Sequence, residues 1–253
     1  MSPPAVVRID SLSIDNLTFD ETVDRIATWA ADGSGGYICT PNVDHIVRAR
    51  RDVAFRSALE GARLRVPDGM GIVYGAALAG AGLRGTVTGR LLPEAVAGAL
   101  DPSGPPIGLF GGRAGMASAA ASRLSAAGRP ALHAVEPPMG LEVGSDDDMA
   151  AVRQLAAKAP RVVFVGLGSP KQELWMARHT AHMPNAILVG VGQAIDVIGG
   201  AQAPAPAWMT RLGAEWAFRL AQEPRRLAAR YLWDDPRFFW WMLRARLARR
   251  RPS

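Results

Sequence analysis

Residues 162–175 read VVFVGLGSPKQELW, and this stretch decides the class of fold. Its first four residues are apolar and mostly β-branched, with no polar residue between them. Such a run is typical of a short strand that is buried on both faces of a parallel sheet. Two glycines then indicate a turn, and a proline followed by polar residues predicts the start of a helix.

The same unit recurs along the chain. Between the strand-like runs, the spacing of apolar residues predicts helices at 43–51, 113–127 and 147–158. Right-handed crossovers between such strands produce an α/β fold with a Rossmann-like, doubly wound, mostly parallel sheet. The predicted strands are 37–40, 64–66, 107–110, 132–135, 162–165 and 187–191.

The C-terminal region has a different composition from the rest of the chain. From residue 211 onward there are 11 arginines, no lysine and 4 acids, whereas the remaining residues carry a net charge of −1. Five of the seven tryptophans lie after residue 207. We therefore predict an α/β catalytic domain at 1–205 and a basic, aromatic-rich helical appendage at 206–253, with prolines 204 and 206 at the boundary.

The appendage predicts an anionic membrane surface as a partner. Aromatic residues beside clustered arginines are typical of interfacial helices, and residues 238–243 form a contiguous apolar block, FFWWML. Nucleic-acid sites rarely need six adjacent apolar residues, so we expect no nucleic acid. The alternative is a helix that docks on the body or on a second copy in a homo-oligomer.

Composition also excludes several classes of protein. Among the 253 residues no apolar run reaches 18, and residues 1–15 lack the apolar core of a signal peptide. One cysteine and four scattered histidines predict no disulfide and no metal site. We expect a cytoplasmic protein, associated peripherally with the inner face of the cell membrane, that uses no cofactor.

Ligands of doubly wound sheets bind beyond the carboxyl ends of the strands, so the residues after each run are the candidates for a site. Glycines there let a ligand approach the backbone, and helix N-termini favour anions. The candidates are Thr40, Asn42, Asp68, Gly111, Gly168, Lys171, Gln172, Glu173, Gly192 and Asp196.

Two of these segments have residues that indicate a specific chemical role. Asp68, in the sequence VPDGMG, is either a turn residue that bonds its own backbone or a general base. Residues 166–175 carry more specific polar groups than a turn requires, which favours a ligand-binding function. The loop would present N–H donors, the lysine and an amide to an anion.

Two other motifs have a structural interpretation that we favour. The loop at 111–115, followed by Glu136, resembles a dinucleotide-binding turn but lacks the G-x-G-x-x-G pattern. An NAD-dependent oxidoreductase is therefore an alternative rather than the main hypothesis. Residues 146–148 contain D-x-D, which could hold a metal, but acids before a helical stretch are more typical of a helix start.

Taken together, the strand-end motifs resemble those of the WecG/TagA/CpsF glycosyltransferases (glycosyltransferase family 26). The resemblance runs from about residue 14 to residue 231, and its specificity lies in the order and spacing of the motifs. They are TPN at 40–42, PDGMG at 67–71, VTG at 87–89, LFGG at 109–112, FVGLGSPKQELW at 164–175, GVG at 190–192, DVIGG at 196–200 and LGAEW at 212–216.

The resemblance implies a metal-independent, inverting transfer of an N-acetylated hexosamine, of the N-acetylmannosamine type, from a UDP-sugar. The implied acceptor is a polyprenyl-diphosphate-linked sugar, in the synthesis of a cell-surface polysaccharide or teichoic-acid-type polymer. Asp68 matches the position of the family's base, and Thr40, Asn42 and Gln172 match positions that line the sugar and acceptor pocket. In the appendage, Arg219 and Arg226 match arginines that reach the diphosphate.

The sequence departs from the family pattern at a few positions. Thr86 and Leu91 replace the usual arginine and aspartate of R-V-T-G-x-D, and Gln193 replaces the last glycine of G-V-G-G. Arg84 or Arg90 is a hypothetical substitute for the missing arginine. These departures leave a third hypothesis, a non-catalytic, membrane-associated protein that binds a nucleotide sugar.

Overall fold

The computed structural model describes residues 5–125, 129–203 and 235–249, together with single positions at 209, 218 and 220. Its centre is a six-stranded sheet in which every neighbouring pair is parallel, with the order β4-β3-β8-β7-β5-β6. The six strands are β3 (Gly36–Cys39), β4 (Leu64–Arg65), β5 (Ile107–Gly111), β6 (Leu132–Val135), β7 (Val162–Gly166) and β8 (Ile187–Gly190).

The α/β fold with a parallel sheet is thereby confirmed, and all six predicted strands are present. Alternate residues of β7 belong to two different apolar clusters: Val163 and Val165 face one, and Val162 and Phe164 face the other. Both faces of the sheet are covered, which explains why the strands read as continuous apolar runs.

Helices cover both faces. The bounds are α1 (Phe19–Asp32), α2 (Val43–Ala49), α3 (Val53–Glu60), α4 (Met70–Leu78), α5 (Leu92–Ala99), α6 (Met116–Ser125), α7 (Asp146–Ala156), α8 (Lys171–His179) and α9 (Ala194–Gly199). Buried residues of α1, α5, α6 and α9 share one apolar cluster, and those of α2, α3, α4, α7 and α8 share the other. No helix among the described residues is long and apolar enough to cross a membrane.

The chain order creates a crevice at the C-terminal edge of the sheet. From β5 the chain goes outward to β6, whereas from β7 it goes in the opposite direction to β8. Neighbouring strands with diverging connections form a topological switch point, where ligands of such folds bind. The loops after β5 and β7 flank this crevice.

An N-terminal hairpin precedes the sheet and was not predicted. Strands β1 (Val6–Ile9) and β2 (Leu12–Asp15) pair antiparallel, with Ile9, Leu12 and Ile14 fully buried. Asp15 accepts a hydrogen bond from the backbone N–H of Arg65 at 2.8 Å, which attaches the hairpin to β4.

Residues 146–148 begin a helix, as predicted. The side chain of Ser145 accepts from the backbone N–H of Asp148 and caps α7, while the three aspartates occupy its first turn. Asp148 goes further than a cap, because it is completely buried and accepts from Trp175 Nε1 at 2.6 Å and from His179 Nε2 at 2.7 Å. This carboxylate therefore ties α7 to α8.

A C-terminal helix (Asp235–Arg249) packs on α4 and α2. Phe238 is fully buried in the same apolar cluster as α4, and Met242 lies beside it. Gly75 of α4 makes this close approach feasible, since a Cβ there would overlap the Phe238 ring. The Arg50 guanidinium lies 3.9 Å from the centre of the Trp241 ring and adds a cation–π contact.

Gly75→Ala should lower the free energy of unfolding by about 1–3 kcal/mol, because the added methyl group overpacks the contact with Phe238. The matched control is Gly98→Ala on α5, where a Cβ would meet no described atom within 4 Å. That change should raise the free energy by about 0.5–1 kcal/mol through helix propensity alone. Chemical denaturation measures both, and equal effects of the two substitutions would contradict the described packing.

Candidate active site at the strand ends

The loops after β3, β4 and β8 meet at one edge of the sheet. Thr40 is almost fully buried, and its hydroxyl donates to the Gly190 carbonyl at 3.3 Å. A Cβ at Gly89 would lie 3.1 Å from Thr40 Oγ1, so the segment at 87–89 packs directly over Thr40. The sequence motifs TPN, VTG and GVG are thus neighbours in space.

Asp68 lies between these loops. Its backbone N–H donates to the Pro41 carbonyl at 2.8 Å, while Pro67 accepts from the N–H of Val87 at 2.7 Å. The residue is half-buried and directly precedes Gly69, the N-cap of α4, so this helix begins without a side-chain hydrogen bond from its N-cap. The backbone of Asp68 is therefore held at the strand end, beside the N-terminus of a nine-residue helix.

The loop after β5 forms the wall at the switch point. Gly111 lies so close to β7 that a Cβ would come within 2.8 Å of the Gly166 carbonyl oxygen. Next along the chain, Arg113 donates its backbone N–H to Asp196 Oδ1 at 2.7 Å. Asp196 is mostly buried, so it fixes this loop to α9.

Glu136 occupies the N-terminus of α6. It accepts backbone N–H bonds from Gly115 at 2.6 Å and from Ser118 at 2.9 Å. Partial burial opposes ionisation, but these hydrogen bonds outweigh it and lower the pKa of Glu136. Two backbone donors at this helix start that could bind a dinucleotide phosphate are already used by this carboxylate, which disfavours the oxidoreductase hypothesis.

Among the described residues, nothing fills the space beside the loop after β7. A Cβ at Gly168 would meet no described atom within 4 Å, and the same is true at Gly192 after β8. Helix α8 begins nearby at Lys171 without a side-chain cap. The Lys171 ammonium itself donates to the Leu141 carbonyl at 2.8 Å, so it anchors the loop before α7 in this conformation.

A buried network links three of the loops. Gln172 Oε1 accepts from the N–H of Gly192 at 2.8 Å, and its Nε2 donates to Glu173 Oε1 at 3.0 Å. The same carboxylate oxygen faces His45 Nε2 at 3.3 Å, and His45 Nδ1 lies 2.8 Å from Asn42 Oδ1. Burial raises the pKa of Glu173, but the hydrogen bond and charge of His45 outweigh it, so the net shift is downward.

His45 was missed by sequence reasoning. It is the third residue of α2, where it forms a capping box with Asn42. A polar residue three positions after an N-cap asparagine is the signal that could have drawn attention to it.

The four arginines with a predicted role lie in three different places. Arg84 forms an ion pair with Glu21 at 2.7 Å, near the start of α1. Arg90 instead lies in the 3-10 turn Gly89–Leu91, directly after the segment that covers Thr40. Arg219 and Arg226 lie outside the described residues, so their approach to a diphosphate stays a prediction.

Comparison with known proteins identifies the family. Residues 7–252 match the model of the glycosyl transferase WecG/TagA/CpsF family. The chain belongs to the WecG/TagA/CpsF family of glycosyltransferases.

The alignments with two relatives of named activity cover most of this chain and most of each relative. One, from Bacillus subtilis (strain 168), is 29% identical over 197 residues, which is 76% of this chain and 73% of the relative. Another, from Staphylococcus aureus (strain MW2), is 25% identical over 232 residues, covering 89% and 88%. Both are named N-acetylglucosaminyldiphosphoundecaprenol N-acetyl-beta-D-mannosaminyltransferase.

The family assignment leaves the expectation about metals as a prediction. Among the described ranges no group of three or more His, Cys, Asp or Glu residues is arranged to hold a metal ion. Asp146 and Asp147 are instead part of the first turn of α7.

Glu136→Gln should destabilise the protein by on the order of 0.5–1 kcal/mol at pH 7, because the charged acceptor at the α6 N-terminus is lost. A lowered pKa means that this stabilisation is present above the unfolded carboxylate's pKa of about 4.3 and is lost as the pH falls through the lower folded value. Urea denaturation of both proteins from pH 7 to pH 3 tests this. A difference that stays constant over that range would show that Glu136 is not an ionised cap.

Proposed function

We propose that this glycosyltransferase moves an N-acetylhexosamine of the N-acetylmannosamine type from a UDP-sugar to a polyprenyl-diphosphate-linked N-acetylglucosamine. The named relatives support this choice of donor sugar and acceptor. The observation that carries the proposal is the position of Asp68, next to the loops of Thr40 and Asn42 at the open edge of the sheet. The product would be an intermediate of a cell-wall polymer of the teichoic-acid type.

In the proposed reaction, a hydroxyl oxygen of the acceptor sugar attacks the anomeric carbon of the donor. The new glycosidic C–O bond forms as the bond between that carbon and the UDP oxygen breaks, with inversion at the carbon. The hydroxyl proton passes to the Asp68 carboxylate, a general base within the site. The electron pair of the broken bond leaves with the diphosphate.

The leaving diphosphate gains negative charge, which the site must stabilise. Helices α4 and α8 both begin at this edge without side-chain caps, so their N-terminal dipoles favour an anion there. We propose that Arg219 and Arg226 add their charge from the appendage, as in the family pattern. No metal ion is required in this scheme.

Asp68→Asn should reduce the rate of transfer by about 10²–10⁴-fold, since the amide cannot accept the proton. The affinity for UDP, measured by isothermal titration calorimetry, should change little because the side chain keeps its size. The control is Asp101→Asn in the loop before β5, at the opposite edge of the sheet, which should transfer sugar at the normal rate. Near-normal turnover of the Asp68 variant would remove Asp68 from the mechanism.

We also propose that the appendage at 206–253 binds the cytoplasmic face of the membrane. On the C-terminal helix, Trp240, Leu243 and Leu247 are 56%, 38% and 54% exposed, and their spacing of three and four residues places them along one face. Arg237 and Arg244 are exposed on the same helix. An apolar stripe with flanking arginines fits lipid tails beside anionic headgroups.

Exposed apolar residues of α4 lie next to this helix. Tyr74 is 55% exposed and Leu78 is 36% exposed, four residues apart on the helix that packs against the C-terminal helix. We propose that they belong to the same membrane-binding surface. Because α4 and the C-terminal helix are packed together, they could bind the membrane as one unit, close to the lipid of the acceptor.

Serine at all three positions 240, 243 and 247 should weaken binding to vesicles containing phosphatidylglycerol by at least about tenfold, because each buried apolar side chain contributes about 1.5–3 kcal/mol. Vesicle co-sedimentation measures this binding. Met139→Ser is the control, since Met139 is 82% exposed in the loop after β6, at the opposite end of the sheet from β4 and α4. Unchanged vesicle binding would contradict the proposal, and a lower oligomeric state in ultracentrifugation would instead assign the stripe to a second copy.

A further inference from the structure

The strongest unassigned feature of the molecule is the buried pair of His45 and Glu173. Their side chains are 9% and 1% exposed, and Nε2 faces Oε1 at 3.3 Å. A buried carboxylate–histidine pair of this kind costs desolvation energy and is weak evidence for stability by itself. Its location directly behind the amides of Asn42 and Gln172 suggests a different purpose.

Hydrogen-bond chemistry fixes the orientation of the Gln172 amide. An ionised carboxylate only accepts hydrogen bonds, so the amide must turn its Nε2 towards Glu173 Oε1, as observed at 3.0 Å. Its Oε1 then faces the backbone N–H of Gly192, which only donates, at 2.8 Å. The reversed amide would place two donors together at Gly192 and two acceptors together at Glu173.

Asn42 is fixed in a similar way. Its Oδ1 accepts from the backbone N–H of His45 at 3.4 Å and lies 2.8 Å from the ring atom Nδ1. Since the carboxylate of Glu173 can only accept, His45 Nε2 carries a proton towards it, and this contact holds the ring in its place beside Asn42. Because the backbone N–H of His45 only donates, the Asn42 amide directs its oxygen at the first turn of α2 and its two N–H donors away from it, while the His45 ring packs beside the amide and its Nδ1 accepts from the Asn42 backbone N–H at 3.4 Å.

We propose that His45 and Glu173 form a positioning pair that sets the Asn42 and Gln172 amides as hydrogen-bond donors to oxygen atoms of the substrate. This inference rests on the proposed function, in which those two amides line the sugar and acceptor pocket. Glu173 then acts through Gln172 rather than by touching the substrate, which refines its place among the predicted binding residues. The matching chemistry in a ligand is an acceptor oxygen, such as an acetamido carbonyl, a hydroxyl or a phosphate oxygen.

The number of side-chain N–H groups that Gln172 and Asn42 have left for a ligand supports this assignment. Gln172 is only 4% exposed, and one of its two Nε2 hydrogens is used by Glu173, so a single N–H is left for a ligand. Asn42 is more exposed, with both Nδ2 hydrogens on the side away from His45. A neutral side chain at position 173 could itself flip and present nitrogen to Gln172, which would remove the preference for one amide orientation.

The test compares Glu173→Gln and His45→Phe with the wild type in a transfer assay at saturating and limiting acceptor. Each variant should lose about 10- to 100-fold in kcat/KM, because misplaced donors no longer hold the reacting groups in line. The affinity for UDP alone should stay within about threefold. The double variant should lose less than the product of the two single losses, since the two residues act as one unit.

Asp148→Asn is the matched control. It alters a second buried carboxylate–histidine pair, with Asp148 and His179 both 0% exposed, which contacts the same helix α8 beyond its first turn. The asparagine keeps an acceptor oxygen for Trp175 Nε1 and so keeps α8 in place, but it loses the charge that faces His179. This control should therefore lower the midpoint of thermal unfolding but leave kcat and KM of the folded enzyme nearly unchanged. If Asp148→Asn and Glu173→Gln reduce kcat/KM equally, the pair at His45 is only structural and the proposal is wrong.

A spectroscopic measurement separates this proposal from the proposed function. In ¹⁵N-labelled protein, the side-chain amide resonances of Asn42 and Gln172, assigned from Asn42→Asp and Gln172→Glu, should shift in both positioning variants, whether or not the chosen sugars react. Wild-type protein without transfer activity would refute the proposed function and leave this measurement valid. Amide resonances that do not move in Glu173→Gln, or full kcat/KM in that variant, would overturn the positioning role, and if Glu173→Gln fails to fold then His45→Phe decides by the same criteria.

Discussion

The position of helix α8 is the constraint on which the strand-end site depends. Two buried carboxylates from different parts of the chain hold this helix, Glu173 within its own first turn and Asp148 from α7. Between them, the Trp175 ring stacks on Phe110 of β5 with the ring centres 4.2 Å apart. Gln172, in the first turn of α8, and the Gly168 loop before it are therefore held in two directions before any ligand binds. Phe110 attaches α8 to the sheet, and Asp148 attaches it to α7.

Such anchoring has an energetic cost that explains its arrangement. A buried carboxylate is tolerated only when several donors compensate its lost hydration, and Asp148 receives them from Trp175, His179 and the N–H of Gly144. Burial lowers the pKa of His179, although the neighbouring Asp148 opposes that shift. A buried polar network is favourable only when its members are hydrogen-bonded, so it stabilises the one arrangement of loops that satisfies them over similar arrangements that do not.

The sequence was informative wherever structure follows from local composition. The six sheet strands were predictable because burial on both faces leaves uninterrupted apolar runs, and the helix start at Asp146 followed from its capping pattern. The hairpin at Val6–Asp15 was not predicted, because strands of four residues give too short an alternation to stand out.

The site was predictable as a set of loops but not as a set of contacts. Topology alone brings the ends of parallel strands to one edge, so the candidates at Thr40, Asp68 and Gln172 could be found from their positions. Partners across the fold could not, since His45 and Glu173 are separated by 128 positions and no periodic pattern connects them. Lys171 illustrates the same limit, because only the structure shows its ammonium directed at the Leu141 carbonyl.

The docking of the C-terminal helix on α4 has a consequence for how location and chemistry are linked. Helix α4 begins two residues after Asp68 and meets Phe238 at Gly75, so roughly 8 Å of helix connects the proposed base to the helix that we propose binds the membrane. A membrane surface that stabilises the docked position of the C-terminal helix then also stabilises one position of Asp68. By thermodynamic reciprocity, a sugar acceptor that prefers that placement would tighten the enzyme's hold on the bilayer by the same factor, and product release would loosen it.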